Sequence, residues 1–302
     1  KVNKNSTTTN HKILILTLSS KTYPSSRNKK QIKKTWGSNL EDNFKIIFYE
    51  SGETEKLIDD TLFVETDTSS KNLGYKLLLA LDWCTRNIDY DFIFRTNTSS
   101  FVNTIELENF ISNNLSNKEH VYCGMPLVRD YKDSDKKIDF LSGAGIILNK
   151  KTTQLILDKK KDWDHSEWED VSLGKLLHDN GVSITNGRRQ DIQNNFYNNI
   201  IDKDNYHYRC RLDNHYGYPR FLEKYVFADL NRILKNEYLT KVEIFVKKNV
   251  FFFLKTFRVE SPRFKIYKVM KILIKTILPT QIFEYLKKRQ PVFLKKFINE
   301  RI

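Results

Sequence analysis

Cysteine is nearly missing from this chain of 302 residues: Cys84, Cys123 and Cys210 stand far apart, with no C-x-x-C pair. Their scarcity excludes a disulfide scaffold and a cysteine-built zinc site, and it favours a reducing compartment. Glycine and proline are also sparse, ten and six residues, which excludes collagen-like and low-complexity chains. No uncharged apolar run approaches the roughly 18 residues that a membrane-spanning helix needs. The histidines His11, His120, His165, His178 and His215 fall at no recognisable metal-ligand spacing. What is present, 39% apolar and 29% charged residues, suffices for one large domain or two modest ones with a real core.

The net charge of +14 is unevenly placed. From Asn231 to Ile302 there are 18 Lys and Arg against five Glu and no Asp, a net +13, which leaves +1 for everything before it. A nearly neutral body with a cationic end describes a peripheral docking element, and it argues against a nucleic-acid cleft through the main domain.

The first residues, KVNKNSTTTN, are polar and aperiodic and read as a disordered lead-in over 1–11. Lys12 to Leu18 is a β-branched and leucine run closed by Ser19-Ser20, the mark of a buried parallel strand. Residues 26–36 read as a helix ending at Gly37, Phe44–Tyr49 and Thr61–Val64 as strands, and Asn72–Asn87 as an amphipathic helix. Asp91–Phe94 reads as a strand running into the polar cluster Arg95 to Ser100. Val121–Gly124 and Phe140–Leu148 add strands, and Thr152–Lys160 a helix. An acidic aromatic loop from Asp162 to Asp170 then opens a helix that stops at Gly181, and Tyr206–Arg211 is a last strand. Alternating strands and helices predict an α/β body with a mostly parallel sheet, over 12–229.

A basic extension, 230–302, follows. Within Phe264–Leu278, Lys265, Lys268, Lys271 and Lys275 share one face, opposite Ile266, Val269, Met270, Leu273 and Ile277. A second basic and apolar piece covers Gln281–Ile302. Such a face suits a helix lying in an anionic membrane surface, or equally a helix packed on the body with its lysines in water. The Phe251-Phe252-Phe253-Leu254 run favours a lipid or partner surface.

Four places could carry chemistry. The cluster Arg95-Thr96-Asn97-Thr98-Ser99-Ser100 sits at a strand's C-terminal end, where open α/β sheets bind ligands, although a turn capping the next helix explains it as well. Glu169-Asp170 begins a helix, where carboxylates are favoured by the dipole; a second reading has one of them take a proton from a hydroxyl. Trp163 and Trp168 beside them could stack on sugar rings. Ser142-Gly143-Ala144-Gly145 is either a bulge or the floor of a ligand site. His207, between Tyr206 and Tyr208 and near Arg209 and Arg211, is a structural histidine or part of a phosphate-binding group.

Taken in order, these segments resemble the β-1,3-galactosyltransferase family, glycosyltransferases of the GT-A fold that include Fringe-like enzymes. Arg27 with Ile32-Lys33-Lys34-Thr35-Trp36-Gly37 is similar to its I-R-x-T-W-G stretch, and Asp67 with Asn72-Leu73-Gly74-Tyr75-Lys76 to its D-x-Y-x-N-L-x-x-K. Phe94 to Asn103 falls where the family has K-x-D-D-D-V-F-V-N, and Phe140–Leu148 resembles Y-x-S-G-x-G-Y-V-L. Trp168-Glu169-Asp170-Val171 with Gly174 resembles E-D-V-x-x-G. The resemblance spans roughly residues 12–180 and leaves the basic end unexplained.

It implies a GT-A-type nucleotide-sugar-binding domain that moves galactose or an N-acetylhexosamine from UDP to a glycan or lipid-linked hydroxyl, with inversion. Asp170, with Glu169, would supply the general base, and Ser19, Ser20, Arg27, Lys76, Arg95, Asn97, Ser99 and Gly143 the donor site. His207, Arg209 and Arg211 are candidates for the diphosphate, Trp163 and Trp168 for the acceptor. Where the family binds Mn²⁺ with an acidic triad, this chain has Asn97, Thr98 and Ser99, poor ligands for that ion. Either cations replace the metal or a non-catalytic sugar- or nucleotide-binding relic remains. A nucleic-acid-binding protein working through the basic end is the least favoured reading. The expected place is cytoplasmic and peripheral to a membrane; the alternative, a Golgi lumen, requires an anchor before Lys1.

Overall fold

A computed structural model describes residues 10–130, 137–192, 200–212 and 220–256. These divide into two compact units, one from residues 10–212 and 223–239, the other from 220–222 and 240–256.

The first unit opens as its sequence dictates. β1 (Ile13–Leu18) is buried along nearly its whole length, and α1 (Ser25–Ile32) and β2 (Phe44–Gly52) follow. α1 is shorter than the expected 26–36. Thr35 Oγ1 donates to the Gln31 carbonyl, and Gly37 N and Thr35 N both turn back to Ile32 O. Those turns swing Trp36 inward, where its indole N–H donates to Ser100 O at 3.2 Å.

Next come β3 (Lys56–Ile58), β4 (Thr61–Glu65), α2 (Leu73–Asn87), β5 (Phe92–Asn97) and β6 (Ser100–Val102). α3 (Thr104–Asn114) is the next helix that the capping reading of the polar cluster called for. Asn103 caps it by accepting from Glu106 N, while Leu107, Phe110 and Ile111 give it a buried face. β7 (Tyr122–Asp130), β8 (Lys137–Asn149), α4 (Lys150–Asp158) and α5 (Glu169–Asp179) complete the main frame. β7 and β8 both outrun the expected strands, because their outer halves form an exposed ribbon without apolar alternation. α5 ends before Gly181, whose φ of 75° is open to glycine at little cost. β9 (Ile184–Asn186), β10 (Arg189–Asp191), β11 (His207–Arg209) and α6 (Glu223–Leu234) close the unit.

The large sheet has the order β3-β4-β2-β1-β5-β8-β7-β9. Only β3 and β8 run against the rest, so the sheet is mostly parallel. Its core joins Leu14, Leu16, Ile47, Tyr49 and Ile93 to apolar faces of α2, α4 and α5, including Leu77, Leu81, Ile156, Leu173 and Leu177. Each such fully buried leucine contributes about 2 kcal/mol. β10, β11 and β6 form a small second sheet. α6 runs unbroken across residue 229, where the composition changes, since Val226, Phe227 and Leu230 bury one continuous face.

In the second unit α7 (Lys241–Thr256) takes in the phenylalanine run. Phe251, the member of that run whose side chain is described, is buried. The lysine face over 264–278 and the piece 281–302 lie outside the described residues. No helix among the described residues is long and apolar enough to cross a membrane.

Candidate active site

Parallel strands bring several of the singled-out residues to one edge of the sheet. β1, β2, β4 and β5 end together, and their exits are tied by hydroxyls. Ser19 Oγ donates to Glu50 Oε1 at 2.6 Å, and Lys29 Nζ reaches the same oxygen at 2.9 Å. Ser20 N donates to Ser25 Oγ, and Ser25 Oγ meets Thr98 Oγ1 at 3.0 Å, joining the turn after β1 to the turn after β5. Asn97 Oδ1 accepts from Ser99 N at 3.0 Å, so part of this cluster is a turn motif. Arg27 lies half-buried on α1.

The glycine segment of β8 is a bulge. β7 pairs with β8 at Gly124 and Ile146, then again at Pro126 and Leu141, so Met125 alone faces Ser142 to Gly145. The freed backbone is used at once. Gly143 N donates to Asp170 Oδ2 at 3.1 Å, and Gly143 O accepts from Arg95 Nη1. Ala144 O accepts from Thr96 Oγ1 at 2.6 Å and from Ser100 Oγ at 3.2 Å. A Cβ on Gly143 would meet Arg95 Nη1 at 2.9 Å, and one on Gly145 would meet His207 Nδ1 at 2.4 Å. The glycines are thus seats for two side chains from other strands.

Arg95 is buried, and it faces inward. Its Nη2 donates to Glu169 Oε2 at 2.6 Å and its Nε to the Tyr49 hydroxyl at 3.2 Å. This guanidinium is committed to a carboxylate of the protein itself. Glu169 Oε1 has no hydrogen-bond partner. Burial accordingly pushes the Glu169 carboxyl up to about 7 against the pull of Arg95, with Asp170 adding to the rise. Asp170 is half-buried at the first turn of α5 and also accepts from its neighbour Val171 N through Oδ1 at 3.1 Å. Lys76, on the first turn of α2, is buried too. Burial lowers its ammonium below the usual range, while the charges of Asp67, Glu169 and Glu50 draw it back up.

The remaining expected residues scatter. His207 is a core histidine: its Nε2 lies 2.9 Å from Ser100 Oγ, its ring sits edge-on to Phe94, and burial, with Arg189 and Arg209, lowers it far below 6.5. Arg209 stands 3.7 Å from Asp191, which Arg189 also pairs at 2.7 Å. Arg211 is exposed. The two tryptophans part company. Trp163 is buried in the core with its indole against Gly74, whereas Trp168 is 60% exposed just before Glu169.

Two buried carboxylates were not anticipated. Glu50 gathers Ser19 and Lys29, and Glu223 on α6 accepts from Asn28 Nδ2, from Ser99 Oγ at 3.2 Å and from Leu212 N at 3.1 Å. Glu50 had a visible signal, a lone acid closing a buried apolar run; Glu223 had none. At the position of the family's acidic triad, Asn97, Thr98 and Ser99 offer neutral oxygens already bonded internally, a donor set that does not fit a Mn²⁺ cage. Among the described residues no three His, Cys, Asp or Glu gather into a cation site.

The family model described as Galactosyltransferase matches residues 27–188, more than half of the chain. This chain belongs to the Galactosyltransferase family. As a glycosyltransferase, it is expected in general terms to work on a nucleotide-sugar donor and a glycan acceptor. The matched stretch runs from Arg27 through the β8 bulge and Glu169-Asp170 to Arg188. No curated protein matches the chain. Among solved structures it is similar to a glycosyltransferase involved in the glycosylation of the major capsid of PBCV-1, at 10% identity and a TM-score of 0.44, covering 72% of this chain and 98% of that one. It is also similar to the inositol-1-phosphate CTP transferase from T. maritima, at 13% identity and a TM-score of 0.31, covering 58% and 84%.

Proposed function

We propose that this galactosyltransferase-family chain moves galactose or an N-acetylhexosamine from UDP to a glycan hydroxyl with inversion, without a metal ion, and with Asp170 as general base. The observation that carries the reading is the seat of Asp170, a half-buried carboxylate at the first turn of α5 fixed by the N–H groups of Gly143 and Val171. The acceptor oxygen attacks the anomeric carbon as its proton passes to Asp170. The bond to UDP breaks on the opposite face, and UDP leaves with the electron pair. Charge gathering on the leaving diphosphate needs cations. Arg95 is taken by Glu169, so that work falls to Lys76, Arg209 and Arg211, with Ser19, Ser20, Arg27, Asn97 and Ser99 around the nucleotide. Trp168, exposed beside the base, suits an acceptor sugar face, and Trp163, being buried, does not.

UDP release from UDP-galactose and UDP-N-acetylglucosamine is expected to proceed at the same rate in EDTA and in Mn²⁺. Turnover abolished by EDTA and restored by Mn²⁺ would overturn the metal-free reading; UDP binding by calorimetry with no release from either sugar would make the chain a binding module.

The +13 of residues 231–302 supports a peripheral place on an anionic membrane near lipid-linked or surface acceptors, in the cytoplasm. The full chain is then expected to pellet with phosphatidylserine vesicles and not with neutral ones, with the difference shrinking as salt is raised. Equal pelleting with both would refute the docking role.

A further inference from the structure

Four contacts close a ring around the base. Arg95 Nη2 grips Glu169 Oε2, Glu169 is covalently joined to Asp170, Asp170 Oδ2 accepts from Gly143 N, and Gly143 O accepts from Arg95 Nη1. One guanidinium thus holds both the helix that carries Asp170 and the strand residue that hydrogen-bonds it. The planar fork of arginine suits two acceptors at a fixed angle, where a lysine would supply a single point of charge. We infer that Arg95 and Glu169 are a positioning pair, setting the place of Asp170 through Gly143. The inference rests on Asp170 being the base.

Other charges reach this carboxylate pair. Lys76 projects from α2, and Tyr49 on β2 and Tyr122 on β7 are held neutral because burial raises both phenols. With those phenols uncharged, Arg95 and Lys76 are the cations that oppose Glu169.

The test needs no known acceptor. Serine labelled with ¹³C at the carbonyl, combined with ¹⁵N-glycine, selects the two Ser-Gly amides of the chain, Gly52 and Gly143. In the wild type the Gly143 amide, bonded to Asp170, is expected to be protected from solvent exchange, and Asp170→Ala identifies it by removing that acceptor. Arg95→Lys and Glu169→Gln should each raise its exchange rate about tenfold, with Gly52 unmoved as an internal control. Alongside, the rate of UDP release from UDP-galactose should fall about 10- to 100-fold in kcat, with KM for the donor changed less than about twofold. A Gly143 exchange rate identical to wild type in both variants would overturn the inference. Should Arg95→Lys not fold, Glu169→Gln, matched in size, decides alone. The two readings fail separately. Turnover that survives Asp170→Asn removes the base assignment, and a lost turnover in Asp170→Asn with wild-type Gly143 exchange in Arg95→Lys and Glu169→Gln removes only the positioning pair.

Discussion

Asp170→Asn is expected to lower the rate of UDP release from a UDP-sugar by about 10²- to 10⁴-fold, the range for removing a positioned general base. The substitution keeps the size of the side chain. The one amide oxygen of asparagine can still accept from Gly143 N, which holds the β8 bulge, and only the bond from Val171 N is lost. What disappears is the ability to take a proton. Thermal unfolding should therefore match wild type within a few degrees while turnover collapses. A variant that is equally folded and equally active would take Asp170 out of the chemistry.

The second large effect concerns stability. Arg95→Met should cost about 3–5 kcal/mol, because it strands Glu169 in the interior without its partner. The size of the loss depends on pH. In the wild type the folded carboxyl of Glu169, at about 7, lies above its ordinary value of 4.5. A group raised on folding stabilises the native state below its unfolded value, and that contribution is lost as pH climbs through the folded one. The wild type should thus gain about 3 kcal/mol from this group on going from pH 8 to pH 5, and Glu169→Gln should flatten that slope. In Arg95→Met the downward pull of the guanidinium is gone and Glu169 rises further, so the damage is worst in alkaline buffer and eases in acid. Urea unfolding at pH 5 and pH 8 checks both statements. The double variant Arg95→Met with Glu169→Leu should recover much of the stability and none of the turnover. A pH-independent loss, or no loss, would mean that the pair is not the buried contact described above.

Much of this was readable before any coordinates. Ile13–Leu18 and Phe92–Phe94 are apolar runs with no polar face, and they became central parallel strands. Asn72–Asn87 showed helical spacing and became α2 with one residue trimmed. Glycine inside the β8 strand left a bulge and a ligand floor equally open, and a bulge is there. What sequence could not disclose is which charge meets which. Arg95 reads as a free cation beside a polar turn; its partner lies 74 positions away, at the start of a helix. Trp163 and Trp168 carry the same ring on the same loop, and only packing against Gly74 separates the core residue from the surface one. His207, between two tyrosines and near Arg209 and Arg211, read as structural or as part of a phosphate-binding group, and the hollow above Gly145 claims its ring for the core. α3 was foreseen only as a helix after the polar turn, and the residue that caps it is Asn103, beyond the Arg95–Ser100 cluster.

The imidazole over Gly145 has a mechanical consequence. His207 belongs to the small sheet, and Gly145 to the large one. With the ring socketed there and hydrogen-bonded to Ser100, neither sheet can slip along the other by even one residue without ejecting the peg. Arg209, two positions further on the same strand, is thereby indexed to the β8 bulge that seats Asp170.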